Sequence, residues 1–128
     1  MTQKSGQWSI LVVEDEKALR EVYELILTNA GYSVSTAIDG QQALVAVKET
    51  IPDFILLDVF MPVMNGLEFM RALNEQSQHD VPIVVFSNNS DSGVREEAYQ
   101  LGAKDVVLKS DVSPADLVAL VEGYIAKS

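Results

Sequence analysis

The chain alternates five short apolar runs with longer segments whose apolar residues recur at the spacing of an α-helix. Short apolar runs predict buried strands, and repeats at every third or fourth residue predict amphipathic helices. The predicted strands are ILVV at 10–13, YSVSTA at 32–37, DFILLD at 53–58, PIVVFS at 82–87 and DVVLK at 105–109. Because a helical segment follows each strand, the pattern predicts an α/β chain with a parallel sheet.

Capping and terminating residues mark the ends of the predicted helices. They are Gly31 after the first helix (16–30), Asp39 before the second, Ser90 or Ser92 before the fourth, Gly102 after it, and Ser113-Pro114 with Asp116 at the start of the last. A third helix is predicted over about 65–77. The inner stripe of the last helix should contain Leu117, Leu120, Val121 and Tyr124.

These elements predict a flavodoxin-like (βα)5 fold, a three-layer sandwich around a parallel five-stranded sheet of order 2-1-3-4-5. Helices on both faces explain why strands one, three, four and five read as apolar on both sides. Strand two alternates apolar and polar residues, as an edge strand does. In such sheets ligands bind beyond the carboxyl ends of the strands, at the switch point between strands one and three.

Length and composition narrow the functional classes. The 128 residues suffice for one domain, expected at 8–128 after a short polar segment at 1–7. Nineteen acidic residues against nine basic ones argue against nucleic acid or an anionic membrane as a direct partner. The absence of cysteine excludes disulfides, thiolate metal sites and a cysteine nucleophile. No apolar run is long enough for a membrane span and no signal peptide is evident, so we expect a cytoplasmic protein.

Polar residues gather where the predicted strands end. Glu14 and Asp15 end strand one, Asp58 ends strand three, Ser87 ends strand four and Lys109 ends strand five. In a parallel sheet these ends share one edge. Three carboxylates, a hydroxyl and an ammonium should therefore meet, although they lie far apart in the sequence.

The chemistry of this set indicates phosphoryl transfer. Carboxylates that crowd together favour binding a cation, and oxygen donors without His or Cys suit a hard ion, most simply Mg²⁺. Asp15 and Asp58 are the candidate ligands, with Glu14 acting through water. Lys109 and Ser87 suit an anion beside the metal. A carboxylate, Mg²⁺, a cation and a hydroxyl are the parts needed to transfer a phosphoryl group onto a carboxylate.

These residues resemble those of the response-regulator receiver domain, the phosphoacceptor module of two-component signalling. The matching features are the acid pair at 14–15, the segment DVFMPVMNG that begins at Asp58, the Ser after strand four and the Lys after strand five. The resemblance covers about residues 8–125, as in stand-alone single-domain receivers.

The resemblance implies that Asp58 accepts a phosphoryl group from the phosphohistidine of a histidine kinase or phosphotransfer protein. Mg²⁺ would be bound by Asp15, Asp58 and the backbone carbonyl of Phe60. Lys109 would pair with the phosphoryl group, and Ser87 would turn towards it and reshape the face of helix four, strand five and helix five. The chain would be a regulatory domain, not an enzyme, catalysing only its own phosphorylation and dephosphorylation. A phosphorylation-dependent dimer fits this, and neither the kinase nor the downstream protein is identified.

The chain departs from the family pattern at several positions. Val106 stands where the family often has an aromatic residue, and we expect it to take part in the switch with Ser87. Ser110 stands where the family usually has proline, so we predict a trans peptide bond between Lys109 and Ser110. Asn88 stands where a small residue is usual. Phe60 and Asn89 should flank the approach of the hydrolytic water. Because the Phe60 ring can exclude water, we expect a long-lived phosphoryl group.

Simpler interpretations exist for each site residue taken alone. Glu14 and Asp15 could be solvated acids at a helix start, and Asp58 a turn residue before a Met-Pro pair. Ser87 could be an ordinary loop hydroxyl, and Lys109 could extend from a strand end into solvent. Their arrival on four strand ends at once favours the phosphoryl site.

Three other functions compete with the phosphoacceptor. A flavin-binding flavodoxin would need a Ser/Thr/Gly loop after strand one, where this chain has three acids at 14–16. A Mg²⁺-dependent phosphatase would want a second acid where Phe60 stands. A degenerate receiver, acting as a phosphorylation-independent protein-binding module, stays open because of Val106, Asn88 and Ser110. No output domain follows, so output would pass through a partner unless the chain is a fragment of a longer regulator.

Overall fold

The computed structural model describes residues 8–76, 80–88 and 92–125. Five parallel strands form one sheet in the order β2-β1-β3-β4-β5. The strands are β1 Ser9–Val13, β2 Ser33–Ala37, β3 Phe54–Asp58, β4 Ile83–Ser87 and β5 Asp105–Leu108. The helices are α1 Lys17–Asn29, α2 Gly40–Glu49, α3 Gly66–Gln76, α4 Ser92–Gln100 and α5 Pro114–Ile125, and Lys109–Asp111 form a short 3₁₀ helix. The flavodoxin-like fold and the strand order predicted from the sequence are confirmed.

Each face of the sheet carries its own apolar core, because successive side chains of a strand point to opposite faces. On one face, α1 and α5 pack on residues such as Ile10, Leu56 and Phe86. On the other face, α2, α3 and α4 pack on residues such as Leu11 and Ile55. The two-sided burial of β1, β3 and β4 follows from this three-layer arrangement.

The two edge strands differ from the central ones. β2 is exposed or half-buried except at Ala37, as its alternating sequence predicted. The prediction that strand five is apolar on both sides was too strong. Only Val106 of β5 is buried, and the other three residues are half-buried. The physical reason is that β5 is the last strand of the sheet and pairs only with β4.

The predicted helix ends are largely confirmed. Asp39 Oδ1 accepts the Gln42 N–H at 2.9 Å. At the start of α5, Ser113 Oγ accepts the Asp116 N–H and Asp116 Oδ2 accepts the Ser113 N–H, both at 3.1 Å, which is a reciprocal capping pair. The inner stripe of α5 consists of buried Leu117, Val121 and Ile125 with Leu120 and Tyr124 half-buried beside them. Ser90 and Asn89 lie outside the described residues.

The backbone after β5 follows the prediction made for it. The parts of the chain that the structure describes contain no cis peptide bond, so the bond between Lys109 and Ser110 is trans. None of the described helices is long and apolar enough to cross a membrane.

Candidate functional site

The carboxyl ends of four strands bring the predicted polar residues together. Glu14 and Asp15 follow β1, Asp58 is the last residue of β3, Ser87 is the last residue of β4, and Lys109 follows β5. Carboxylate oxygens of Glu14, Asp15 and Asp58 all lie within 4.8 Å of one another. The strand-end convergence predicted from the sequence is therefore present in the structure.

Lys109 joins two of the three carboxylates. Its Nζ donates to Glu14 Oε1 at 2.7 Å and lies 3.2 Å from Asp58 Oδ1. All three side chains are at most 7 % exposed. Glu14 Oε2 also accepts the backbone N–H of Glu16 at 3.0 Å. The Lys109 ammonium thus compensates the buried charge of Asp58 and allows an apolar strand to end in a carboxylate.

The compensation is incomplete, as the pKa values show. Burial, with a smaller contribution from the Glu14 charge, raises the pKa of Asp58 to about 6, and Lys109 opposes that rise. Burial by itself would lower the pKa of Lys109, but its hydrogen bond to Glu14 and the charge of Asp58 raise it overall. Because one buried ammonium faces three carboxylates, the site keeps excess negative charge, and Asp15 is exposed to solvent. An all-oxygen donor set with this charge fits a divalent hard cation such as Mg²⁺.

Arg20, which was not predicted from the sequence as a site residue, fixes the loop that carries the acid pair. Its Nη1 donates to the backbone carbonyls of Glu14 at 3.0 Å and of Asp15 at 3.2 Å. The signal in the sequence that could have indicated this contact is a basic residue about one turn into the helix that follows the two acids. The contact holds the backbone of both acids from the α1 side.

Gly66 allows α3 to start close behind the predicted phosphoacceptor. A Cβ at this position would lie 2.3 Å from the carbonyl oxygen of Asp58, which no neighbouring backbone can accommodate. The Gly66 N–H donates to the carbonyl of Val59 at 2.8 Å. This close approach was not predicted from the sequence.

The remaining candidate residues lie around this centre with different exposures. Ser87 is 1 % exposed, whereas Phe60 is 55 % exposed in the loop between β3 and α3. Asn88 is exposed. Val106 is buried in β5, where its N–H donates to Asp105 Oδ1 at 2.8 Å. Asn89, the other residue assigned to the water's path, is outside the described part of the chain.

Two side chains of α4 form hydrogen bonds with β5. Arg95 Nη1 donates to the carbonyl of Val106 at 3.1 Å. The hydroxyl of Tyr99 donates to Asp105 Oδ1 at 3.0 Å, and the Arg95 guanidinium lies 5.8 Å from the centre of the Tyr99 ring. These contacts connect the strand that precedes Lys109 to the helix that follows Ser87.

Comparison with known proteins gives the family. The family model described as "Response regulator receiver domain" matches residues 10–122, which is most of the chain. The chain belongs to the response regulator receiver domain family. A receiver domain is a regulatory domain of two-component signalling, and the resemblance noted in the sequence is confirmed.

Relatives of this receiver domain include longer regulators and stand-alone structures. The DNA-binding response regulator MtrA of Mycolicibacterium smegmatis is 37 % identical over 119 residues, covering 93 % of this chain and 51 % of that protein. This receiver domain therefore spans about half the length of the curated relatives it matches. Chemotaxis response regulator CheY4 of Vibrio cholerae has a TM-score of 0.84 at 32 % identity, covering 92 % of this chain and 98 % of that one. The receiver domain of NtrX from Brucella abortus has a TM-score of 0.83 at 27 % identity, covering 93 % and 99 %.

Proposed function

We propose that this receiver domain takes a phosphoryl group onto Asp58 from the phosphohistidine of a histidine kinase or a phosphotransfer protein. The observation that carries the proposal is the position of Asp58, a buried carboxylate 3.2 Å from the Lys109 ammonium and beside two further carboxylates. A nucleophilic carboxylate, a fixed cation and an oxygen-only metal site are the groups that phosphoryl transfer requires.

The proposed step is a displacement at phosphorus. One Oδ atom of Asp58 attacks, the new O–P bond forms, and the bond between phosphorus and the donor's imidazole nitrogen breaks. The electron pair of that bond stays on the imidazole nitrogen, which takes up a proton. The product is an acyl phosphate on Asp58, and Lys109, already 3.2 Å from its carboxylate, is the cation available to the transferred oxygens.

Asp15 and Asp58 would hold Mg²⁺, together with the backbone carbonyl of Phe60 and, through water, Glu14. The support is the set of carboxylate oxygens within 4.8 Å of one another and the exposure of Asp15 to solvent. When bound, Mg²⁺ would neutralise negative charge on the phosphoryl oxygens. Lys109 Nζ lies 2.7 Å from Glu14 Oε1 and 3.2 Å from Asp58 Oδ1, so it contacts both the acceptor and a neighbouring acid.

Ser87 and Val106 are the proposed switch. Ser87 is buried at the end of β4, so its hydroxyl would have to turn to reach the phosphoryl group. Its strand neighbour is Leu108, and β5 is tied to α4 through the Arg95 contact with Val106. Movement at Ser87 would therefore change the face formed by α4, β5 and α5.

The fate of the phosphoryl group would depend on Phe60, Asn88 and Asn89. The exposed ring of Phe60 stands two residues after the acceptor, where it can keep water from the phosphorus.

The receiver domain is proposed to span residues 8–128, and its cytoplasmic location, its downstream protein and a phosphorylation-dependent dimer all stay predictions. The DNA binding named for MtrA is not assigned to this chain.

The test is phosphorylation by acetyl phosphate with Mg²⁺, followed by intact mass. We expect one phosphoryl group on the wild type, none in EDTA and none on Asp58→Ala. Asp80→Ala, which removes an exposed acid elsewhere, is the matched control and should keep the mass gain. A wild type that gains no mass would favour the degenerate receiver that binds proteins without phosphorylation.

A further inference from the structure

The loop between β3 and α3 contains a strained turn. Among the residues that the structure describes, Val63 is the one non-glycine residue with positive φ, at 69°. Across it, the Met64 N–H donates to the Pro62 carbonyl at 2.7 Å, which with this φ is the strained form of the γ-turn. A β-branched residue rarely adopts such a φ. The Val63 side chain is 75 % exposed, so burial of that side chain does not hold the turn.

The first residue of α2 supplies a contact that can hold it. The Gly40 N–H donates to the Met64 carbonyl at 2.8 Å. A Cβ on Gly40 would lie 2.8 Å from both the carbonyl oxygen and Cγ of Met64, and 3.0 Å from Cβ of Phe69. Side chains do not tolerate such distances, so the absence of a Cβ lets α2 approach this loop.

The other end of the same loop is fixed beside the proposed phosphoacceptor. Gly66 bonds the Val59 carbonyl and packs against the carbonyl of Asp58. The loop from Val59 to Gly66 is therefore held at its start by α3 and near its end by α2. Strained turns persist when their surroundings determine them in this way.

We propose that Gly40 is a positioning residue for the phosphorylation site. Its contact with Met64 holds the strained loop, which begins directly after Asp58 and carries the Phe60 carbonyl. A change at Gly40 should therefore alter Mg²⁺ binding although Gly40 supplies no ligand. The inference rests on the proposed Mg²⁺ site.

The test compares two glycine-to-alanine substitutions in helices. Gly40→Ala adds a Cβ that meets Met64, whereas Gly123→Ala in α5 adds one with no atom within 4 Å. Mg²⁺ affinity is measured by isothermal titration calorimetry, with circular dichroism to verify folding. Since residues that orient metal ligands typically change affinity by 10–100-fold, we expect Gly40→Ala to weaken Mg²⁺ binding by about tenfold. Gly123→Ala should bind Mg²⁺ as the wild type does.

Equal Mg²⁺ affinities for Gly40→Ala and Gly123→Ala would overturn the inference. A wild type without saturable Mg²⁺ binding would instead overturn the proposed metal site, so the two failures are distinguishable. If Gly40→Ala does not fold, thermal unfolding of Val63→Gly and Val63→Ala decides. Both remove the exposed side chain, but only glycine adopts this φ without strain. Val63→Gly should unfold at the higher temperature with unchanged Mg²⁺ affinity, and an equal or lower temperature would overturn the inference.

Discussion

Replacing Asp58 by Asn should make the metal-free protein more stable. The reason is that burial and Glu14 raise the pKa of Asp58 from 3.8 to about 6, so its charged form is disfavoured in the folded state. That difference in pKa corresponds to about 3 kcal/mol of unfolding free energy at neutral pH. The Asn side chain must still pair with neighbouring polar groups. We therefore expect the unfolding free energy of Asp58→Asn to exceed that of the wild type by about 1–3 kcal/mol at pH 7.5.

The pH dependence of this gain follows from its sign. A carboxyl whose folded pKa is raised binds more protons when folded than when unfolded between pH 3.8 and about 6. The unfolding free energy of the wild type therefore falls as the pH rises through this window. The unfolding free energy of Asp58→Asn lacks this decrease, because the Asn side chain does not titrate. The gain should be near zero below pH 4, about half of its full value at pH 5 and complete above pH 7.

Glu14→Gln is the matched substitution of a neighbouring buried carboxylate, and its effect should have the opposite sign. Glu14 accepts the Lys109 ammonium at 2.7 Å and the Glu16 N–H at 3.0 Å. Since a hydrogen bond to a charged group contributes about 1.5–3 kcal/mol, Glu14→Gln should lower the unfolding free energy by about 1–3 kcal/mol. Opposite effects from these two neighbouring acids would distinguish the carboxylate that hydrogen bonds stabilise from the one whose charge is disfavoured by burial.

The measurement is urea unfolding in EDTA at pH 5.0 and pH 7.5. When Mg²⁺ replaces EDTA, the difference in unfolding free energy between the wild type and Asp58→Asn should become smaller, because a ligand that binds only the folded state stabilises it. The reasoning is refuted if Asp58→Asn is no more stable than the wild type at pH 7.5 in EDTA. A gap that is the same at both pH values would also contradict it.

Other predictions concern Mg²⁺ and the phosphoryl group. Protons should compete with Mg²⁺ for Asp58, so the Mg²⁺ dissociation constant should be about tenfold larger at pH 5 than at pH 7.5, and calorimetry showing no pH dependence would contradict this. Trp8 precedes β1, roughly 20 Å from the carboxylates, so Mg²⁺ should hardly change its fluorescence; a saturable quench that Asp15→Asn abolishes would show the site to be misplaced. Phe60→Ala should speed loss of the phosphoryl group by about tenfold if the ring raises the barrier by about 1.4 kcal/mol; an unchanged or slower decay after donor removal would show that the ring does not exclude water.

Features that depend on neighbouring residues could be predicted from the sequence. The alternation of apolar runs with helical segments predicted the strand order, because parallel strands joined by helices have few topologies. Local capping signals predicted Asp39 and the Ser113–Asp116 pair. Once the order was known, Glu14, Asp58 and Lys109 had to share one edge of the sheet, because parallel strands all end on the same side.

Features that depend on contacts between distant segments appeared only in the tertiary structure. Lys109 was predicted to pair with an anion and Glu14 to act on the metal through water. In the structure the two side chains bond each other at 2.7 Å although they lie 95 residues apart in the sequence. The pKa of Asp58 depends on how deeply it is buried, and the contact between Gly40 and Met64 depends on how closely α2 approaches the β3–α3 loop. Periodicity and capping specify which residues lie on which element and edge. Distances, burial and charge compensation are decided by side-chain packing between elements, which no local pattern contains.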